Sequence, residues 1–281
     1  VNLKPLQQAA VKAAQAAGEL MRQNLRAPKK VNAETSHDIK LELDVRCQEL
    51  IRAKLHRVFP QIALLGEEGS SGAKIAEFRW VVDPIDGTVN YASGIPHACV
   101  SIALQARTRR GERPREPLSN SIKGSRGRSP HQRMDYETLA GVVYDPFTDE
   151  LWTGMRGQPA RLNGTVIHAS HRRRLDQSIV SIGFAKNRTS LEHALPYFTW
   201  LSRRVRKVRM MGSAALALAY VATGRFDAYI ERGINLWDIA AGGLILECAG
   251  GKFWYEPIHG PHRFRMIASN GLLHSKLPIP K

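Results

Sequence analysis

The sequence predicts a layered α+β / α/β fold in which sheets are covered by helices, and three observations carry that expectation. Apolar stripes at helical spacing open the chain, short apolar runs ending in acids follow, and helix and strand patterns alternate through the last third. No internal repeat interrupts this order.

The 281 residues are 43% hydrophobic and 23% charged, a composition that excludes wholesale disorder and leaves room for a sizeable core. No apolar run reaches the ~18 residues of a membrane helix, and Val1-Asn2-Leu3-Lys4-Pro5 has no signal-peptide core. A chain starting at Val reads as one from which a few residues are missing or processed. The 3 cysteines, Cys47, Cys99 and Cys248, lie far apart without CxxC spacing. That pattern predicts reduced thiols in a cytoplasmic protein and argues against a disulfide framework or a zinc site. The net charge of +16 favours anionic partners, whether phosphorylated metabolites or nucleic acid.

Leu3, Leu6, Ala10, Ala13, Ala17, Leu20 and Met21 recur at spacings of three and four, predicting a first helix broken at Pro28. Leu43, Cys47, Leu50, Ile51, Leu55 and Val58 predict a second, stopped by Pro60. Ile62 to Leu65 reads as a buried strand ending in Gly66-Glu67-Glu68, Phe78 to Val82 as another, and Cys99 to Ala106 as a third. Residues 107–134 hold nine Lys/Arg and two Glu among Gly, Pro and Ser, which predicts a disordered surface insertion. Leu139 to Tyr144 and Glu150 to Thr153, joined by Asp145-Pro146-Phe147-Thr148-Asp149, read as a hairpin. Helices are expected at Leu191 to Val205, Ala214 to Thr223 and Asp238 to Cys248, the last stopped by Gly250-Gly251. Strands are expected at Phe226 to Ile230, Lys252 to Tyr255 and Met266 to Ala268. Two tightly joined subdomains are expected, 1–138 and 139–281.

The sharpest chemical signal is Asp83-Pro84-Ile85-Asp86-Gly87-Thr88, where an apolar strand runs into two carboxylates three residues apart. Pro84 keeps Asp83 out of helical geometry, and Gly87 permits a bend or the close approach of a ligand. Such a bend can aim both carboxylates at one point. Oxygen donors suit Mg²⁺ and not zinc, and the N–H groups of Gly87 and Thr88 suit a phosphate. The plain alternative is a capped turn with exposed acids. Glu67 and Glu68 end a neighbouring strand and could point the same way. Asp238 sits where an Ala/Gly-rich helix begins, and its plain alternative is an N-cap.

These residues resemble the Mg²⁺-dependent, lithium-sensitive inositol monophosphatase family of the fructose-1,6-bisphosphatase-like group. The resemblance runs from Asp44 to about Asn270 through Gly66-Glu67-Glu68, Trp80 to Tyr91, Gly141-Val142-Val143-Tyr144, Gly212-Ser213-Ala214-Ala215, Trp237 to Gly242 and Glu247 to Gly251. It implies an αβαβα sandwich, a homodimer, and two to three Mg²⁺ ions. Glu67, Asp83 and the Ile85 carbonyl would hold one ion; Asp83, Asp86 and Asp238 a second; Glu67 would help with a weaker third. Thr88 and Asp44 match the pair that activates water, with Glu67 counted among the catalytic groups. Asp86, Gly87, Thr88, Gly212, Ser213, Ala214, Glu231 and Asp238 match substrate-binding positions. The implied reaction is direct in-line attack by water on a phosphate monoester, most simply inositol monophosphate. 3′-Phosphoadenosine 5′-phosphate, fructose bisphosphate and histidinol phosphate are alternative substrates, and an RNA- or transcription-associated binding factor is the rival of another class.

Two departures stand out: Leu41 replaces a usual Thr three residues before Asp44, and the basic stretch 107–134 replaces a short turn. That stretch is a candidate arm for weak RNA or polyanion binding. Other motifs fail on spacing: there is no HExxH, GxGxxG or GxSxG, and Gly69-Ser70-Ser71-Gly72-Ala73-Lys74 lacks the Gly-Lys step of a P-loop, reading instead as a mobile metal-site loop. His259 and His262 read as solvated, and Cys47 and Cys248 as core residues.

Overall fold

Trp80, Val81 and Val82 occupy successive positions of one strand, and their side chains enter two different cores. That period-two alternation organises the molecule. A computed structural model describes residues 1–34, 39–73, 75–108, 136–184 and 188–279. The expected insertion at 107–134 lies outside the described residues from 109 onward, as does Lys74.

The chain begins with α1 (Leu3–Asn24), β1 (Val31–Glu34), β2 (Ile39–Leu41) and α2 (Glu42–Val58). Then come β3 (Ala63–Gly66), β4 (Gly69–Ser71), β5 (Phe78–Asp86), α3 (Thr88–Ala92) and β6 (Cys99–Arg107). The hairpin region gives β7 (Tyr136–Asp145), β8 (Glu150–Met155), β9 (Arg161–Leu162) and β10 (Thr165–Val166). The last part holds β11 (Ile179–Phe184), α4 (Arg188–Ser202), β12 (Lys207–Arg209), α5 (Ala214–Ala222) and β13 (Ala228–Asn235). It ends with α6 (Leu236–Cys248), β14 (Lys252–Pro257) and β15 (Arg263–Ser269).

An 8-stranded sheet runs β10-β9-β8-β7-β6-β5-β3-β4, and a 5-stranded sheet runs β12-β11-β13-β15-β14. Leu6, Ala10, Ala13, Ala17 and Met21 of α1, with Cys47, Ile51 and Leu55 of α2, pack on the face of the larger sheet carrying Trp80, Val82, Ile102 and Val142. The opposite face, with Val81, Ala103, Val143 and Trp152, meets α5 and α6. Those helices are buried on both sides, because Tyr229, Phe264, Met266 and Ala268 of the smaller sheet close over them. This explains why α5 and α6 read as apolar almost all round rather than as stripes. Tyr197 and Leu201 of α4 cover the outer face through Val180, Ile182, Ala228, Ile230 and Ile267. The layers therefore alternate αβαβα, the order that the family resemblance implied.

The long elements match their sequence patterns, with most strands running further than expected. β11 was not expected: Ile179-Val180-Ser181-Ile182-Gly183-Phe184 mixes apolar and small residues, yet pairs in parallel with both β12 and β13. Gly69–Ser71, expected to be a mobile loop, is a strand paired with β3, with Glu67 and Glu68 forming the turn between them. The division expected at 138/139 falls inside β7, which is paired with β6 and β8 on either side. Among the described residues no helix is long and apolar enough to cross a membrane.

Candidate active site

Parallel pairing of β3 with β5 sets Gly66 opposite Val82, so Glu67 and Asp83 leave their strands side by side. The Glu67 N–H donates to the Val82 carbonyl at 3.2 Å and fixes that exit. Gln48 of α2 clamps the adjoining turn: its side-chain oxygen accepts from the Glu68 N–H at 3.0 Å, and its side-chain nitrogen donates to the Gly69 carbonyl. After Asp83 the pairing of β5 with β6 shifts register before resuming at Asp86, and this irregularity is the bend expected around Pro84. Gly87 follows with φ of 99°, in the left-handed region that favours glycine; a Cβ there would lie 2.9 Å from the His97 carbonyl oxygen. The chain then enters the short helix α3. The Thr88 hydroxyl donates to the Ile85 carbonyl at 3.0 Å, bringing two expected site groups together.

Asp86 is buried and receives three hydrogen bonds from the start of α5: the Ser213 hydroxyl at 2.6 Å, the Ala215 N–H at 2.6 Å and the Ala214 N–H at 3.2 Å. A carboxylate at a helix N-terminus is favourably placed. Burial nevertheless raises its pKa, with these three donors opposing the rise. Asp238 lies in the first turn of α6 and accepts the Asn235 N–H at 2.9 Å. The N-cap itself is Asn235, three residues earlier than the cap position weighed from sequence, so Asp238 serves the capping box while facing the other acids. Burial raises Asp83 well above the usual carboxylate range, and Glu67, Asp86 and Asp238 raise it further. Burial likewise lifts Glu67, with Asp238 and Asp44 adding to it.

Glu67, Asp83, Ile85, Asp86, Gly87, Thr88, Gly212, Ser213, Ala214, Glu231 and Asp238 all line one cavity of about 790 Å³. Its size falls in the usual ~300–1,000 Å³ range of small-molecule sites. Asp44 is not on the wall. It is buried in the first turn of α2, where its carboxylate accepts the Leu41 N–H at 2.7 Å, and its charge reaches Glu67. Glu68 also stays off the wall.

Carboxylates this close cannot all ionise without a cation or shared protons. The donor set is all oxygen, which fits a hard cation such as Mg²⁺. The oxygens of Asp86 and Asp238 are turned to nearby N–H and O–H donors, and among the described residues no three His, Cys, Asp or Glu side chains close tightly around one point.

Besides Gln48, four wall or supporting residues escaped the sequence reading. Gly183 on β11 is paired with Glu231, and a Cβ there would lie 1.9 Å from the Glu231 carboxylate, so its small size makes the space that Glu231 fills. Tyr229 donates its hydroxyl to Glu231. Burial pushes Glu231 up to about 8, with Tyr229 opposing and Asp238 and Asp86 assisting. Asn90 ties α3 to the 211–212 segment by donating to the His97 carbonyl at 2.9 Å and to the Met211 carbonyl at 2.8 Å. Arg263 contributes a cation to the wall. A repeated spacing could have flagged none of these, since contacts between segments distant in sequence bring them in.

Fold and site together define a class: a layered αβαβα protein whose strand ends gather acids around a single cavity. The chain belongs to the inositol monophosphatase family, whose model matches residues 2–110 and 134–270. The break in that match falls on the basic stretch read as an insertion. Among relatives, Nus factor SuhB of Xylella fastidiosa is 36% identical over 251 residues, covering 88% of this chain and 81% of the relative. The inositol monophosphatase structure from Anabaena sp. is 34% identical with a TM-score of 0.76, covering 99% of this chain and 95% of that one. The extragenic suppressor protein suhB from Bartonella henselae has a TM-score of 0.82 at 29% identity, covering 98% and 97%.

Proposed function

We propose that the chain is a Mg²⁺-dependent phosphatase acting on a phosphate monoester of a small polyol or sugar, with inositol monophosphate the leading substrate. The observation that carries this reading is the meeting of Glu67, Asp83, Asp86 and Asp238 on one cavity with Gly87 and Thr88. Glu67, Asp83 and the Ile85 carbonyl would hold one ion, and Asp83, Asp86 and Asp238 a second, with Glu67 assisting a third. Bound ions would neutralise the phosphoryl oxygens, ease ionisation of water and stabilise the departing alkoxide.

The chain's own residues supply the rest. The Gly87 and Thr88 N–H groups would orient the phosphate, Thr88 with Asp44 would position the attacking water, and Glu231 with the Gly212–Ala214 segment would take the substrate's hydroxyls. No cysteine or histidine is needed, and Cys47 is inert by burial, which pushes its thiol up to about 12. The same reading carries a homodimer, which rests on the family resemblance, and a cytoplasmic setting, which rests on the three widely spaced cysteines. Phosphate release from a panel of phosphorylated metabolites, with and without Mg²⁺, tests the reading; release unaffected by Mg²⁺ would overturn it.

A second reading, a nucleic-acid-associated role, draws support from one surface. Arg173, Arg174, Arg203, Arg204, Arg206, Lys207 and Arg209 are exposed, and the Arg206 and Lys207 N–H groups both donate to the Ser178 carbonyl, which joins the 203–209 segment to the one that follows Arg174. Several relatives carry the name Nus factor. The basic stretch 107–134 would add to such a surface. Salt-dependent gel shifts of the intact protein, a 107–134 deletion and an Arg206→Glu/Lys207→Glu variant test it. Equal affinity in all three would remove this reading.

A further inference from the structure

Tyr229 and Glu231 sit two residues apart on β13, so their side chains leave the same face of the sheet, and both line the cavity. That face looks onto α5 and α6, and Tyr229 belongs to the core they share with Met266 and Ala268. Only 3% of Tyr229 is exposed, so packing holds its ring in place. Its partners in the neighbouring strands are both small, Ser181 on β11 and Ala268 on β15.

Two contacts engage the same carboxyl oxygen of Glu231. The Tyr229 hydroxyl donates to Oε2. Oε2 is also the oxygen nearest Gly183, where a Cβ would lie 1.9 Å from it but 3.1 Å from Oε1. Among the described residues no hydrogen bond goes to Oε1. Burial raises the Tyr229 phenol well above its ordinary value, so it keeps its proton and remains a donor. Oε2 is therefore occupied as an acceptor in either protonation state of Glu231, and Oε1 keeps its hydrogen-bonding capacity for a ligand. The terminal torsion of a glutamate is broad, and a carboxyl without such a contact would turn freely.

From this geometry we infer that Tyr229 is a positioning residue for the leaving-group end of the substrate: by holding Oε2 it aims Glu231 Oε1 at a substrate hydroxyl. This deepens the phosphatase reading and rests on it. Tyr229 acts through Glu231 and not on the phosphate, so the selection of a hydroxylated leaving group depends on a phenol that the substrate does not touch.

The test uses inositol 1-phosphate and cyclohexyl phosphate, which differ only in the ring hydroxyls. The proteins are the wild type, Tyr229→Phe, Gly183→Ala, Glu231→Ala and the double variant Tyr229→Phe/Glu231→Ala, each checked for folding by circular dichroism. Tyr229→Phe should raise the KM of inositol 1-phosphate roughly 3- to 10-fold, the loss expected for one misaligned hydrogen bond. Its kcat, and the KM of cyclohexyl phosphate, should stay close to wild type. A merely structural role would shift both compounds together, and that result, or no shift in either, would overturn the inference. Gly183→Ala crowds Oε2 from the neighbouring strand and should give the same split, which decides the matter if Tyr229→Phe does not fold. In the Glu231→Ala background, Tyr229→Phe should change the inositol 1-phosphate KM no further; a second, additive loss would contradict action through Glu231. If the wild type hydrolyses neither compound, the phosphatase reading fails, and calorimetric titration of the same pair decides the inference separately. A preference for inositol 1-phosphate that Tyr229→Phe reduces supports it; equal or absent binding of the two compounds overturns it.

Discussion

The Ser213 hydroxyl donates to Asp86 Oδ2 at 2.6 Å, joining residues 127 apart in sequence. Ser213 is also the N-cap of α5, accepting the Leu216 N–H at 3.4 Å. One hydroxyl thereby locks the helix start to the acid at the bend of β5, so that the two sheets and the helix layer between them meet at the cavity. Ser213→Ala removes both bonds. We expect a loss of about 1–3 kcal/mol in stability, read as a lower urea midpoint, together with reduced turnover because Asp86 loses a donor that fixes its orientation. An unchanged midpoint and unchanged turnover would show that the Ala214 and Ala215 N–H groups suffice.

Gly183 and Glu231 give a second prediction. A methyl at position 183 would overlap the Glu231 carboxylate, so Gly183→Ala should displace that side chain while leaving Glu67, Asp83, Asp86 and Asp238 in place. Glu231→Gln keeps its shape and removes its ionisable carboxyl; with its pKa raised to about 8 the group is charged mainly above that pH, where losing its hydrogen bond to substrate should cost about 1.5–3 kcal/mol. Both variants should raise KM for polyol phosphates more than they lower kcat. If both leave the kinetics unchanged on every accepted substrate, Glu231 does not touch the substrate.

His274 gives a pH dependence. Burial lowers its pKa to about 4, below its ordinary 6.5, and Lys252 adds to the effect, while its ring nitrogen meets the Ser269 hydroxyl at 3.0 Å. The folded protein therefore holds this ring neutral where the unfolded chain takes up a proton. Its contribution to stability is present above the unfolded value and is lost as pH falls from about 6.5 toward 4. His274→Gln should flatten the dependence of the urea midpoint on pH across that window relative to wild type. Parallel curves would show that His274 does not titrate in this way.

The parts of this account that were legible in sequence share one property: their signals are local. The Asp83–Thr88 turn, the acids after β3 and the stripes of α1 and α2 lie within a few residues of one another. β11 was illegible because its inward positions include Ser181 and Gly183, so it lacks the dense apolar pattern of a buried strand; its identity comes from its neighbours β12 and β13. Gln48, Asn90, Gly183 and Arg263 were illegible for the same reason. Gln48 and Asn90 act through backbone groups of other segments, and Gly183 matters only because Glu231 lies across from it. The resemblance to a family supplied Glu231 and the Gly212–Ala214 segment, which spacing alone would not have joined to Asp83.

The central claim is that the gathered carboxylates hold Mg²⁺ for phosphate ester hydrolysis, and Asp86→Asn tests it most directly. Asn keeps the side chain's shape and can still accept from the start of α5, so the fold should persist. Phosphate release by the wild type should require Mg²⁺, be inhibited by Li⁺, and fall by orders of magnitude in folded Asp86→Asn. Near-normal turnover in that variant, or wild-type turnover that persists after Mg²⁺ is chelated, would contradict the account.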